Sequence, residues 1–370
     1  MGGGPAFPRA RAPMQTAILG ATGLVGRTML RLLAGRSWVD EPPLLLAGRR
    51  SAGTALPFRG AALVCRDAAA AEVEGVGIAL FSAGAAASRQ YAPTFTARGA
   101  WVVDNSSCFR LDPAVPLVVP EINAALVPRL LPGQGAAGGV IANPNCSTIQ
   151  VALALAPLQA AFGLREVHVT TLQAVSGAGR RAVAELAAQS AAQRGDRAAA
   201  LLAGDLAEPD RGVPPADSVF ARRIAFNALP QIGDALPDGS FAEETKVVHE
   251  LRKILDAPQL PVSCTATRVP VWNAHSAAVR VVLARSVSPA DAAAALSAWP
   301  GLAVDPSPHG FATPAEVSGD GLVHVGRLRR DPCRDDALLL WVVADNLLKG
   351  AALNAVQIAD LLAGAAPAPR

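Results

Sequence analysis

Thr16–Gly35 reads TAILGATGLVGRTMLRLLAG. A short apolar run from Thr16 to Gly20 enters a turn with glycine at 20, 23 and 26, and an amphipathic stretch from Leu24 to Gly35 follows. Strand, glycine turn and helix in this order form a phosphate-binding corner. Gly20 and Gly23 let the backbone turn tightly against a pyrophosphate, and Gly26 lets the helix pack close. The helix start supplies free N–H groups and the positive end of its dipole. The spacing is GxxGxxG where GxGxxG is usual, so the glycines gain weight only from their strand and helix context. Thr22, Leu24 and Val25 stand in the same turn as candidate cofactor contacts.

Working outward, Leu44 to Arg49, Ile78 to Phe81 and Trp101 to Val103 read as strands, with an Ala-rich helix around Ala85 to Arg98. Alternating strands and helices predict an α/β, Rossmann-like dinucleotide-binding half. After Asn145 the texture changes. A long Ala/Leu-rich helix is followed by strand candidates at His168 to Val175, Cys264 to Val271 and Ala277 to Ala284, which predict an α+β second domain with a mixed, largely antiparallel sheet. Asn346 to Ala363 is apolar at helical spacing and is expected to return to the first domain. The expected division is therefore 14–145 with 345–370 for the nucleotide and 146–344 for catalysis.

Composition narrows the function. Of 370 residues 51% are hydrophobic and 17% charged, enough to bury a large core, and the net charge of +3 is carried by scattered basic residues. That excludes the basic runs of a nucleic-acid or membrane surface and favours a small anionic partner. Five cysteines with no metal-ligand spacing argue for reduced thiols and no metal site. Residues 1–13 lack the apolar centre of a signal peptide and read as a disordered extension, and no apolar run is long enough to span a bilayer. A soluble cytoplasmic protein is expected.

Two segments carry distinctive chemistry. At the end of the second strand stand Arg49, Arg50 and Ser51, where NAD-binding folds present an acidic residue to the ribose; two guanidiniums and a hydroxyl suit a 2′-phosphate, so NADP is expected over NAD. NPNCST, Asn143 to Thr148, opens the long apolar helix. Asn145 is placed to cap it, and Cys146 falls in its first turn, where dipole and free N–H groups favour a thiolate and an oxyanion. Cys65, Cys264 and Cys333 lack that setting and read as structural. RVPVWNAHS, Arg268 to Ser276, offers an arginine for a carboxylate and an imidazole for acid and base work, spaced too far apart on an extended strand to serve one atom. His168, His249, His309 and His324 are read as lacking comparable polar surroundings, but the residues alone do not select His275.

Nine segments in order, GATGLVG, FSAG (Phe81–Gly84), DNSSCFR (Asp104–Arg110), VPEIN (Val119–Asn123), NPNCST, QAVSGAG (Gln173–Gly179), EETK (Glu243–Lys246), RVPVWNAHS and DNLLKGAALNAVQIA (Asp345–Ala359), closely resemble the aspartate-semialdehyde dehydrogenase family from the first strand to the last helix. The resemblance implies that Cys146 is the nucleophile, His275 the acid/base catalyst and Gln173 the group that orients the acyl-enzyme. It implies that Arg268 binds the substrate carboxylate and Glu243 its ammonium, with Arg110, Asn145 and Lys246 around the phosphate. Ser82, Ala83 and Gly84, with Ser176, Gly177 and Asn346, would complete the cofactor groove. The implied reaction is NADPH-dependent reduction of L-aspartyl 4-phosphate to aspartate 4-semialdehyde through a Cys146 thioester, in the biosynthesis of lysine, methionine, threonine and isoleucine. The second domain would also serve dimerisation, in a homodimer or a tetramer.

Leu24 stands at a small-residue position of the family pattern, Ala274 where glycine is common, and Cys108 beside the phosphate-binding arginine. Two competitors are an N-acetylglutamyl-phosphate reductase and a catalytically silent nucleotide-binding paralogue. Glu243 with Arg268 argues against the first, whose substrate has no ammonium, and the complete set Cys146, Gln173, Arg268, His275 against the second.

Overall fold

The computed structural model describes residues 15–128, 138–192, 196–205 and 214–368. The extension expected at 1–13 lies outside the described residues. The first strand is β1 (Gln15–Leu19), and the glycine turn delivers the chain into α1 (Leu24–Leu33). β2 (Leu44–Ala47) is shorter than expected: Arg49–Ser51 leave it as a single 3₁₀ turn. A hairpin of β3 (Ala55–Phe58) and β4 (Ala61–Val64) precedes β5 (Arg66–Asp67), β6 (Val76–Phe81), α2 (Ala85–Thr96) and β7 (Trp101–Asp104). A one-turn helix, α3 (Pro120–Asn123), and β8 (Gly139–Ala142) complete the first half.

The six-stranded sheet runs β5-β2-β1-β6-β7-β8 with every pair parallel. Both faces are covered, which is why β1, β2 and β6 are apolar runs without alternation. The chain moves one way from β1 to β2 and β5, then returns to build β6, β7 and β8 on the other side. The crevice at that reversal lies beyond the carboxyl ends of β1 and β6, where Gly20–Gly26 and Ser82–Gly84 stand.

α4 (Cys146–Phe162) opens the second half and is buried on nearly all sides, in keeping with its uniformly apolar sequence. β9 (Leu164–Gln173), α5 (Arg180–Ala192), α6 (Asp196–Ala203), α7 (Ala242–Ile254), β10 (Val262–Arg268), β11 (His275–Leu283), α8 (Pro289–Ser297), β12 (Leu302–Val304), α9 (Pro314–Val317), β13 (Val323–Asp331) and β14 (Arg334–Ala344) follow. Their sheet is β10-β9-β11-β14-β13-β12, mixed, with three antiparallel pairs at its centre and a parallel strand at each edge. Two of its long strands, β13 and β14, are absent from the sequence reading. Their register shifts between Gly326 and Arg329, with Arg327 at φ +52°, and that bulge breaks the alternation that would reveal them.

Beyond β14 a π-helical turn (Leu348–Ala352) leads into α10 (Leu353–Leu362), which packs with α1 over the first sheet. Among the described residues no helix is long and apolar enough to cross a membrane.

Gly20 adopts φ +86°, and a Cβ there would stand 2.8 Å from the Ser82 carbonyl. A Cβ on Gly26 would stand 2.2 Å from the Gly20 oxygen and 2.8 Å from the Ala21 Cα, both backbone atoms. Gly26→Ala is therefore expected to force α1 off the turn and lower stability by about 3 kcal/mol. Gly48→Ala, whose Cβ meets nothing within 4 Å, should leave it unchanged. Denaturant unfolding of both variants checks the contrast.

Candidate active site

The strand β8 stops at Asn143–Pro144, and Asn145 caps α4. Its Oδ1 accepts the N–H groups of Ser147 and Thr148 at 2.9 and 3.2 Å. Cys146 is thereby the first residue of the helix, facing a cavity of about 350 Å³. Asn105, Arg110, Gln173, Ser176, Glu243 and Lys246 also line this cavity, with Arg268 and Asn346.

His275 reaches the sulfur from β11, with Nε2 3.2 Å from Sγ. Its Nδ1 accepts the Ala174 N–H at 3.0 Å, which places the proton of a neutral ring on Nε2, toward the sulfur. Gln150, one turn beyond Cys146, donates Nε2 to the His275 carbonyl at 3.2 Å and joins helix to strand. The chain reverses between the two strands expected from the sequence. β10 ends at Arg268, and a turn through 269–274 doubles the chain back, so that a Cβ on Gly177 would be 3.0 Å from both Arg268 Nη1 and His275 Nε2. The two side chains are neighbours. The turn ends on Ala274 at φ +67°, a left-handed conformation that costs alanine about 1–2 kcal/mol. Asn346 Oδ1 accepts the Ala274 N–H at 2.9 Å and the Ser176 hydroxyl at 3.0 Å.

Gln173 ends β9 opposite Arg268 in parallel register. Its Nε2 donates to Glu243 Oε1 at 3.1 Å, and Asn145 Nδ2 donates to the same oxygen at 2.8 Å. Lys246 Nζ lies 3.4 Å from Glu243 Oε2. Burial works to raise the Glu243 pKa, but Lys246, Asn145, Gln173 and Arg268 outweigh it and hold the carboxyl below its usual range, as an anion. Arg268 donates Nη1 to the Ala174 carbonyl at 2.8 Å. Asn145, expected near phosphate, spends its acceptor on the helix and a donor on Glu243.

The state of the thiol differs from the expectation of a thiolate. Burial first, and then Glu243, push Cys146 up to about 11 against the pull of Arg268 and Arg110. Burial and Arg268 hold His275 well below its ordinary value. Burial thus favours a neutral thiol beside a neutral imidazole. The other histidines correct a second expectation. His168 meets Ser263 at 2.7 Å and also Glu166, and His324 meets Asp320 at 3.0 Å, but neither lines the cavity.

The nucleotide crevice leads to this cavity through Val25, which lines it. No side chain caps α1, and its first intrahelical bond is Arg27 N–H to the Gly23 oxygen, so the amides of Leu24, Val25 and Gly26 are open to an anion. Ser82 holds the crevice wall through its N–H to the Leu19 oxygen at 2.8 Å, and the place of a Cβ on Gly84 is open space. Arg49 and Arg50 lie exposed just past β2. These residues fit a dinucleotide.

Several groups in the site are not reached by the sequence reading. Gly350, in the π turn, packs on Cys146: a Cβ there would be 3.2 Å from the cysteine Cβ. Fully buried Lys349 pins that turn by donating to Glu121, Asn354 and Gln357. Glu250 accepts from both Arg110 and the Asn145 backbone. Its signal in the sequence is its seven-residue spacing from Glu243 on one helix.

Known proteins share the sequence and the fold. The semialdehyde dehydrogenase NAD-binding domain family matches residues 15–128, and the semialdehyde dehydrogenase dimerisation domain family matches 155–349. The chain is 43% identical to the aspartate-semialdehyde dehydrogenase of Bacillus subtilis over 352 residues, covering 94% of this chain and 97% of the relative. It is 41% identical to that of Aquifex aeolicus over 351 residues, covering 94% and 97%. The crystal structure of the Vibrio cholerae aspartate semialdehyde dehydrogenase II complexed with ASA superposes with a TM-score of 0.83 at 39% identity, covering 95% of this chain and 98% of that one. The NADP-containing Candida albicans enzyme, at 22% identity and a TM-score of 0.69 over 95% and 98%, shares the fold. With two matched domains and close relatives along nearly its whole length, the chain belongs to the aspartate-semialdehyde dehydrogenase family.

Proposed function

We propose that this chain catalyses the reversible, NADPH-dependent reductive dephosphorylation of L-aspartyl 4-phosphate to L-aspartate 4-semialdehyde through a thioester on Cys146. The observation that carries the reading is the Cys146–His275 contact at 3.2 Å in a cavity that also holds Glu243, Arg268, Lys246 and Arg110. Glu243, kept anionic, suits the substrate ammonium, and Arg268 suits its α-carboxylate. An acetylated substrate would offer Glu243 no ammonium. Arg110 and Lys246 supply positive charge for the phosphate end.

Attack by the Cys146 sulfur on the acyl carbon forms the C–S bond of the thioester as the C–O bond to phosphate breaks, and the departing phosphate carries away the thiol proton. The amides of Ser147 and Thr148 donate to Asn145, and both N–H groups of Gln173 are committed to Thr171 and Glu243, so an acyl oxygen gains a donor here only by displacing one of these bonds. A nicotinamide dinucleotide, held by the turn at Gly20–Val25, by Ser82–Gly84 and by Ser176, Gly177 and Asn346, supplies the hydride when bound. His275 serves the adduct at Nε2. A second proton on its ring would put an N–H on Nδ1 against the Ala174 N–H, so the imidazolium is kept transient. Arg49, Arg50 and Ser51 favour NADP through its 2′-phosphate.

Among the described residues one face of the second sheet is only partly covered, by the 311–317 segment, with Ala278 exposed and Arg280 half-buried on alternate positions of β11. That face suits a second copy of the chain, in a homodimer or a tetramer. The protein works in the cytoplasm, where its thiols stay reduced.

Initial rates with aspartate semialdehyde, phosphate and NADP test the reading. Cys146→Ala is expected to abolish turnover with NADP binding retained, and unchanged turnover would remove the covalent route. Alkylation of Cys146 by iodoacetamide in the free enzyme should keep accelerating beyond pH 9, because thiolate accumulates only as pH approaches a pKa of about 11. A plateau at neutral pH would show a thiol already ionised at rest. Replacing Arg49 and Arg50 together by alanine should raise KM for NADP by about ten-fold or more and leave that for NAD unchanged.

A further inference from the structure

Helix α7 brings more to the site than its substrate-facing pair. Glu243, Lys246, Glu250 and Lys253 recur at intervals of three, four and three, so they share one face of the helix. Lys253 Nζ donates to the carbonyls of Arg110, Asp112 and Val115 at 2.9, 2.6 and 2.7 Å, tying the loop that carries Arg110 to the helix. Glu250 is 1% exposed and does not line the cavity. Its Oε2 accepts the Asn145 backbone N–H at 2.6 Å, and its Oε1 accepts Arg110 Nη1 at 3.1 Å.

A carboxylate so far from water is costly to keep, and a purely structural brace would be served as well by well-packed apolar side chains. What Glu250 does is geometric. A guanidinium has five N–H donors in a rigid plane. Arg110 commits Nε to the Asn143 oxygen at 2.9 Å, Nη2 to the Asn105 oxygen at 2.8 Å and Nη1 to Glu250. Those three bonds fix the plane and leave two N–H groups for the cavity that Arg110 lines. The other oxygen of Glu250 holds the amide of the residue that caps α4 and precedes the nucleophile.

We propose that Glu250 is a positioning residue that sets Arg110 and Cys146 in one register: one carboxylate oxygen aims the guanidinium at the phosphate end of the substrate, and the other fixes the cap from which the sulfur projects. The proposal rests on the activity proposed above. Both partners are donors, so both oxygens must accept. An amide in place of the carboxylate turns an NH₂ toward an N–H on one side or the other.

In the phosphate-dependent oxidation of aspartate semialdehyde, Glu250→Gln is expected to raise KM for phosphate about ten-fold or more and lower kcat, with KM for NADP unchanged. In an Arg110→Lys background the same substitution should add much less to KM for phosphate than it does alone. Glu250→Asp keeps the charge one methylene short, and should fold normally while showing the same pattern more weakly. The upward shift of the unfolding temperature by inorganic phosphate should shrink in both variants, a readout that needs no turnover. Unchanged or lowered KM for phosphate together with an undiminished thermal shift would overturn the proposal. So would a uniform loss, with kcat and stability down and both KM values up together, the mark of a brace. An inactive wild type whose phosphate-induced shift still depends on Glu250 would sink the activity and leave the positioning role standing.

Discussion

Asn145 is the point on which the site turns, because its polar groups are spoken for from two directions. Its side-chain oxygen terminates α4 and so decides that Cys146 begins the helix. Its side-chain nitrogen and backbone N–H are gripped by Glu243 and Glu250, two turns apart on α7. A helix cap is normally a local device worth about 1 kcal/mol. Here the same residue docks two helices, and the reacting sulfur inherits its position from that docking. His275 is then fitted to the sulfur from a strand 129 residues away, held on one side by Gln150 of the same helix and on the other by the Ala174 amide.

What can be read from the sequence divides along the range of the interactions. The glycine turn is legible because its constraints are local: a positive φ at Gly20 and a helix that must lie against the Gly20 oxygen. Cys146 is legible for the same reason, since cap and first turn lie within four residues. Arg268 and His275 are not. On an extended strand they would stand far apart, and only the reversal at 269–274, closed by a strained Ala274 and admitted by a side-chain-free Gly177, brings them together. The resemblance supplied their roles, which spacing alone did not assign. Glu250 and Lys253 hide for a different reason: charges on an amphipathic helix are ordinarily its solvated face, and nothing in EETKVVHELRK says that this face is covered. His168 shows the converse, a histidine whose polar surroundings come from Ser263 on a neighbouring strand.

Charge explains why such a buried, polar site holds together. Arg110, Lys246 and Arg268 face Glu243 and Glu250, so three cations and two carboxylates leave one positive charge around a neutral thiol. Each carboxylate has a cation of its own: Glu250 has Arg110 at 3.1 Å and Glu243 has Lys246 at 3.4 Å. Arg268 is the cation left over: its hydrogen bonds go to the Ala174 carbonyl and the Gln173 side-chain oxygen, with Glu243 attracting it from farther off. A buried cation satisfied only by neutral acceptors is poised to take an anion.

That surplus also bears on the thiol. Sulfur ionisation is opposed by burial and by Glu243 and helped by Arg268 and Arg110, the same groups a substrate would engage. An ammonium against Glu243 removes the nearest repulsion, whereas a carboxylate on Arg268 weakens an attraction. The balance of those two contacts, and not the helix dipole alone, decides when Cys146 becomes a nucleophile. Burial and Glu243 favour the protonated sulfur in this arrangement, and any group that meets Glu243 or Arg268 shifts that balance.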